Sequence, residues 1–144
     1  MIARSGARPA ACSWMTPSQP FDRPRPYKLQ ERLFEFACDI VRAVQYLHTR
    51  GPIARAFSYQ LLDAGTSVGS NAEEADGASS RRDFVAKMRI SLKEAKETRF
   101  RLRVCRRCEL LDGRFDPLVT ESDELVRIIA SIVHRTEYNG REPG

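Results

Sequence analysis

Residues 84–105 read FVAKMRISLKEAKETRFRLRVC. Within them Phe84, Met88, Ser91, Ala95, Thr98, Leu102 and Cys105 recur at alternating four- and three-residue steps. That spacing holds one stripe of a long α-helix against its neighbours, and the many small residues on it allow close approach. Ser79 or Ser80 supplies a cap and Asp83 a first-turn acid, both suited to a helix N-terminus. The helix is expected to run to about Leu111, with Asp112 and Gly113 ending it.

Working outward, the same periodicity recurs on both sides. Leu33, Phe36, Ala37, Ile40, Val44 and Leu47 form a first stripe. Gly51 and Pro52 end that helix and open the next, each at a position it suits. Phe57, Leu61, Ala64, Val68, Ala72 and Ala75 make a second stripe, and the chain turns near Gly77. Asp116 and Pro117 start a fourth helix, whose stripe is Leu118, Ser122, Leu125, Ile129 and Ile132. Short connections make sequential helices antiparallel neighbours. The predicted fold is therefore all-α: an up-down-up-down four-helix bundle over residues 27–138, with 139–144 frayed.

Five prolines fall within residues 1–26, and each removes a backbone donor and disfavours helix before it. This stretch reads as a disordered tail carrying Arg4, Arg8, Arg23 and Arg25 against Asp22. It is either an unstructured extension or an arm that touches an anionic polymer. It has no apolar run of signal-peptide length, and no segment of the chain has the apolar length of a membrane span. The expectation is a cytoplasmic protein with reduced thiols and no membrane partner.

Charge is distributed unevenly. The chain has 24 basic and 19 acidic residues, for a net charge of +5. Residues 79–112 hold eleven basic against five acidic groups, more than the whole excess. Six of these cations, Arg82, Arg89, Lys93, Lys96, Arg103 and Arg107, share one sector of the third helix with Phe100, away from the apolar stripe. A row of cations on a rod neutralises successive phosphates and releases counterions, and an aromatic within it can stack on an unpaired base. The plainer reading is a solvated outer face, partly cancelled by Asp83–Lys87 and Lys93–Glu97 pairs at four-residue spacing.

No enzyme chemistry is legible. Cys105 and Cys108 form a single CxxC with no second pair and no histidine at ligand spacing, a poor zinc site. His48 and His134 lie near helix ends, where a cation complements the dipole. GTSVGSN at 65–71 lacks the lysine of a phosphate-binding loop. Its glycines cost a helix about 1 kcal/mol each relative to alanine, so they imply tight packing, within the bundle or between subunits. Asn71 beside the stripe is expected to hydrogen-bond across helices. No catalytic residue, metal ligand or cofactor is assigned.

The run LLDAGTSVGSNAEEADGASSRRDFVAKMRISLKEAKETRFRLRV, from Leu61 to Val104, resembles the signature of the four-helix-bundle 23S rRNA intervening-sequence protein family. That family includes the accessory variability determinant of diversity-generating retroelements. The resemblance rests on the GTSVG-N core, on Glu74 and Ala75, on Asp83, Phe84 and Lys87, on the Lys93–Ala95 and Glu97–Thr98 segment, and on Phe100. It covers about residues 28–135. It implies a bacterial bundle assembling as a homopentamer with a basic surface, with RNA or DNA, and in the retroelement branch a reverse transcriptase, as partners. It carries over no catalytic residue. Asp63, Ala64, Glu73 and Arg101 depart from the pattern: Asp63 weakens the second helix as a cationic surface, whereas Arg101 could extend the third. Two functions follow: an RNA-binding accessory protein using the third-helix cations, or a protein–protein scaffold.

Overall fold

The structure, a computed structural model, describes residues 28–141 together with Phe21, Pro24 and Pro26. Four helices account for nearly all of it: α1 (Leu29–Leu47), α2 (Pro52–Asp76), α3 (Arg81–Arg107) and α4 (Asp116–Asn139), with a 3-10 turn at Gly113–Phe115 before the last. There is no strand among the described residues. α1 packs on α2, α2 on α3 and α3 on α4, so neighbours in sequence are neighbours in space. α1 and α4 stand farther apart.

The core is made by the expected stripes. Leu33, Phe36, Ile40, Leu47, Leu61, Val68, Leu102, Leu118, Leu125 and Ile129 are all essentially inaccessible to solvent. On α3 the stripe from Met88 to Cys105 is buried, including Ser91 and Thr98. Their hydroxyls are satisfied: Ser91 donates to the Val68 carbonyl at 2.7 Å and Thr98 to that of Glu94 at 2.7 Å, as buried polar groups require. Ala37, Phe57, Phe84 and Ile132 are only partly buried.

α2 reaches α1 closely because Gly65 has no side chain: a Cβ there would lie 2.6 Å from Ile40 Cγ2. The expected hydrogen bond from Asn71 to another helix is not made. Its Nδ2 donates to the Ser67 carbonyl one turn back, at 2.7 Å, because the half-buried amide finds a partner within its own helix.

α3 stops four residues earlier than its pattern suggests. Glu109 takes φ 60°, and the N–H groups of Leu110 and Leu111 both donate to the Cys105 carbonyl, at 2.8 and 3.1 Å. This left-handed ending normally employs glycine, so nothing in the residue type announced it. Leu111 and Phe115 then fold back into the core.

Residues 1–20 of the expected tail lie outside the described residues, as do 142–144. Phe21 does not fit a boundary at residue 26. It is fully buried, 4.9 Å from the Phe115 ring, which in turn lies 5.0 Å from Tyr46. An apolar aromatic gains more from burial than its proline-rich surroundings cost. Phe21 sits where α1 finishes, although the chain enters α1 at the opposite end.

The same end carries the connection into α4. Asp112 accepts from Arg114 Nη2 at 2.8 Å and from the Tyr46 hydroxyl at 3.2 Å. The Arg114 hydrogen bond, above all, holds Asp112 down to about 2. A depressed folded value means that this contribution is complete above the ordinary carboxylate range and is lost as pH falls through about 2. Thermal melts from pH 5 to pH 2 should therefore show a declining acid limb that Asp112→Asn flattens; the effect is small because the pair is solvent-screened.

Candidate nucleic-acid interface

α3 carries eleven basic groups between residues 79 and 112, and packing sorts them. Leu102, Ala95 and Met88 fix one side of the helix in the core, so residues about half a turn away must face outward. Arg82, Arg89, Lys93, Lys96, Phe100, Arg103 and Arg107 are all exposed. The structure thus places every predicted site residue on one outward ridge. From Arg82 to Arg107 it spans about 37 Å at 1.5 Å per residue.

Three other α3 arginines, Arg99, Arg101 and Arg106, turn sideways and are occupied, while Arg81 is exposed at the start of the helix, in the groove it shares with Arg141. Arg99 pairs with Asp123 at 3.1 Å and Arg106 with Asp116 at 2.5 Å, both on α4. Arg101 turns toward α2, where Nη1 donates to Gln60 Oε1 at 2.5 Å and the guanidinium lies over the Phe57 ring. It does not extend the ridge. Its flank is acidic instead: burial, with Glu97 and Asp63 nearby, raises Glu94 above the ordinary range.

Along the ridge itself neutralisation is slight. Arg89 is paired with Glu137. Among the described residues, Arg82, Lys93, Lys96, Arg103 and Arg107 have no ion pair. The expected Lys93–Glu97 pair is absent, while Lys87 does bind Asp83 at 2.8 Å. Pairs at four-residue spacing between exposed chains gain little, so Lys93 stays free in solvent.

Two shallow grooves border the ridge toward α4. One, of about 490 Å³, lies near Arg81, Arg82, Arg89, Glu137 and Arg141. The other, of about 640 Å³, lies near the end of α3 and is lined by Phe100, Arg103, Val104, Arg107 and Val119, with the Arg106–Asp116 pair. Phe100 is 65% exposed. The CxxC contributes to neither: Cys105 is buried, which pushes its thiol up to about 11, and Cys108 is exposed beyond the helix end. No helix is long and apolar enough to cross a membrane among the described residues.

Sequence reasoning missed two buried carboxylates. Asp39 is fully buried and pairs with Arg42 at 2.9 Å. Glu121 is 2% exposed and accepts from Arg32 Nε and Nη2 at 2.6 and 2.8 Å. Glu121 falls three residues after Leu118, on the apolar stripe; that position was the available signal.

No curated protein matches the chain. Among solved structures it is similar to the crystal structure of a protein with unknown function from the S23 ribosomal protein family of Bacteroides thetaiotaomicron. The two are 33% identical over 74% of this chain and 98% of that one, with a TM-score of 0.67. Residues 26–131, which span all of α1 to α3 and most of α4, match the 23S rRNA-intervening sequence proteins, and this chain belongs to that family.

Proposed function

We propose that this protein is a non-enzymatic RNA-binding accessory protein that lays the α3 ridge along phosphates and works as a homo-oligomer. The observation that carries this reading is the row of five exposed cations without ion pairs among the described residues, on one 27-residue helix. Cations already bound to carboxylates have no counterion to release from a polyanion; these five do. Self-association is supported by a different surface. Phe34 and Val41, seven residues apart on one face of α1, are exposed large apolar side chains away from the ridge and offer neighbouring apolar area to a second copy. A pentamer is the state the family resemblance implies.

The test is the salt dependence of binding to a structured RNA, followed by fluorescence anisotropy. Five phosphate contacts give a slope of log K against log salt of roughly −3.5 to −4.5. Replacing Lys93, Lys96 and Arg103 together with glutamine should reduce that slope by roughly 2 to 2.7, at about 0.7 to 0.9 per cation. An unchanged slope would overturn the assignment of the ridge. Absence of binding at low salt, with an oligomer that persists through nuclease treatment, would leave the scaffold reading in its place.

A further inference from the structure

We infer that the groove between the end of α3 and the start of α4 receives an unpaired base, so that the preferred RNA carries a bulge or loop rather than an uninterrupted duplex. This inference rests on the RNA-binding reading and specifies which RNA the ridge selects.

The groove differs in kind from the rest of the ridge. Elsewhere the ridge offers cations, which suit phosphate oxygens of any conformation, and no exposed aromatic ring. Here Phe100 interrupts the row with a ring that is 65% exposed. An exposed aromatic ring costs free energy in water and recovers it by stacking. Val104 and Val119 extend that apolar surface into the groove, whose volume of about 640 Å³ is within the range of small-ligand sites.

The charges around it suit a nucleotide. Arg103 and Arg107 follow Phe100 by one and two turns and Lys96 precedes it by one, all exposed on the same sector, so cations on both sides of the ring can hold the phosphates next to an inserted base. Asp116 faces the same space. A carboxylate repels phosphate but accepts from the N–H groups of a base edge. Arg106 fixes it, with Nε 2.5 Å from Oδ1, and is itself tied to the Leu111 carbonyl at 3.1 Å. The acceptor is thereby held in place before any ligand arrives, which lowers the cost of binding. In a continuous duplex every base is stacked and its edge paired, so neither Phe100 nor Asp116 could be used. An unpaired nucleotide can use both.

Two RNAs of equal length and charge discriminate this: a fully paired hairpin stem, and the same stem with one bulged 2-aminopurine. The wild-type protein should bind the bulged RNA about tenfold more tightly at equal salt and quench the 2-aminopurine fluorescence. Phe100→Ala should bring the bulged RNA down to the affinity of the paired one, with no quenching. Phe100→Trp should retain the preference. Equal wild-type affinities, or a preference that survives Phe100→Ala, would overturn the base-binding groove and leave the phosphate ridge standing. Failure of wild-type protein to bind either RNA would overturn both. Phe100 is largely outside the core, so its replacement leaves the fold intact, which circular dichroism checks.

Discussion

Arg32→Ala should lower the stability of the bundle by about 3 to 5 kcal/mol, the usual cost of removing one partner of a buried ion pair. Arg32 reaches from α1 to α4, where its fork binds both oxygens of Glu121 at 2.6 and 2.8 Å and Glu124 at 2.5 Å. Glu121 is 2% exposed. Without the guanidinium, that carboxylate keeps its desolvation cost but loses two charge-assisted hydrogen bonds, with Glu124 repelling it one turn away. The hydrogen bond to Glu121, ahead of all other causes, raises Arg32 above its ordinary value, so the guanidinium keeps its charge. Urea denaturation measures the loss. Arg32→Lys should recover only part of it, because an ammonium cannot occupy both oxygens in parallel. Joint replacement, Arg32→Met with Glu121→Leu, should lie near wild type, since it removes the charges together. A change below 0.5 kcal/mol (roughly the scatter expected for surface substitutions) for Arg32→Ala alone would show that water reaches Glu121.

A second pair of substitutions separates two glycines that look alike in the text. Gly65→Ala should destabilise the protein by about 2 kcal/mol, net of the helix preference for alanine. The added methyl would stand 2.6 and 2.7 Å from Ile40 Cγ2 and Cγ1. Ile40 is fully buried and β-branched, stiff at its first torsion, so either α1 and α2 separate or the isoleucine leaves its rotamer. Gly69→Ala meets nothing nearer than the Leu33 carbonyl oxygen at 3.5 Å. It should be neutral or stabilise by up to about 1 kcal/mol through helix propensity. Thermal denaturation of the two variants side by side decides the point: an equal response from both would mean that Gly65 does not set the α1–α2 distance.

The four helices could be read from sequence because each depends on a period that many residues repeat. Losing Ala37 or Ile132 from the fully buried set leaves the stripe intelligible. The ridge could be read for the same reason, since one stripe fixed in the core dictates what faces outward. Features that depend on a single residue against its type were not legible. Glu109 ends α3 in a conformation that glycine usually supplies, and Glu121 occupies an inward position that a charge rarely takes. Phe21 is buried from within a proline-rich stretch. The partners of the sideways cations were equally hidden: their place on the wheel set Arg99, Arg101 and Arg106 apart from Arg103 and Arg107, but not which groups of α4 and α2 would meet them.

The wide spacing of α1 and α4 bears on how the chain reaches its native state. Each helix docks on the one just made, so most of the structure accrues from local closures with low entropic cost, and such topologies fold rapidly. Joining the first helix to the last is the exception: Arg32 reaches across to Glu121, and Tyr46 meets Phe115 and, through it, Phe21 at the entry to α4. A late step of that kind contributes little to the folding barrier. Contacts made after the barrier slow the reverse journey, so weakening this joint should shorten the lifetime of the folded molecule more than it changes the speed of its making.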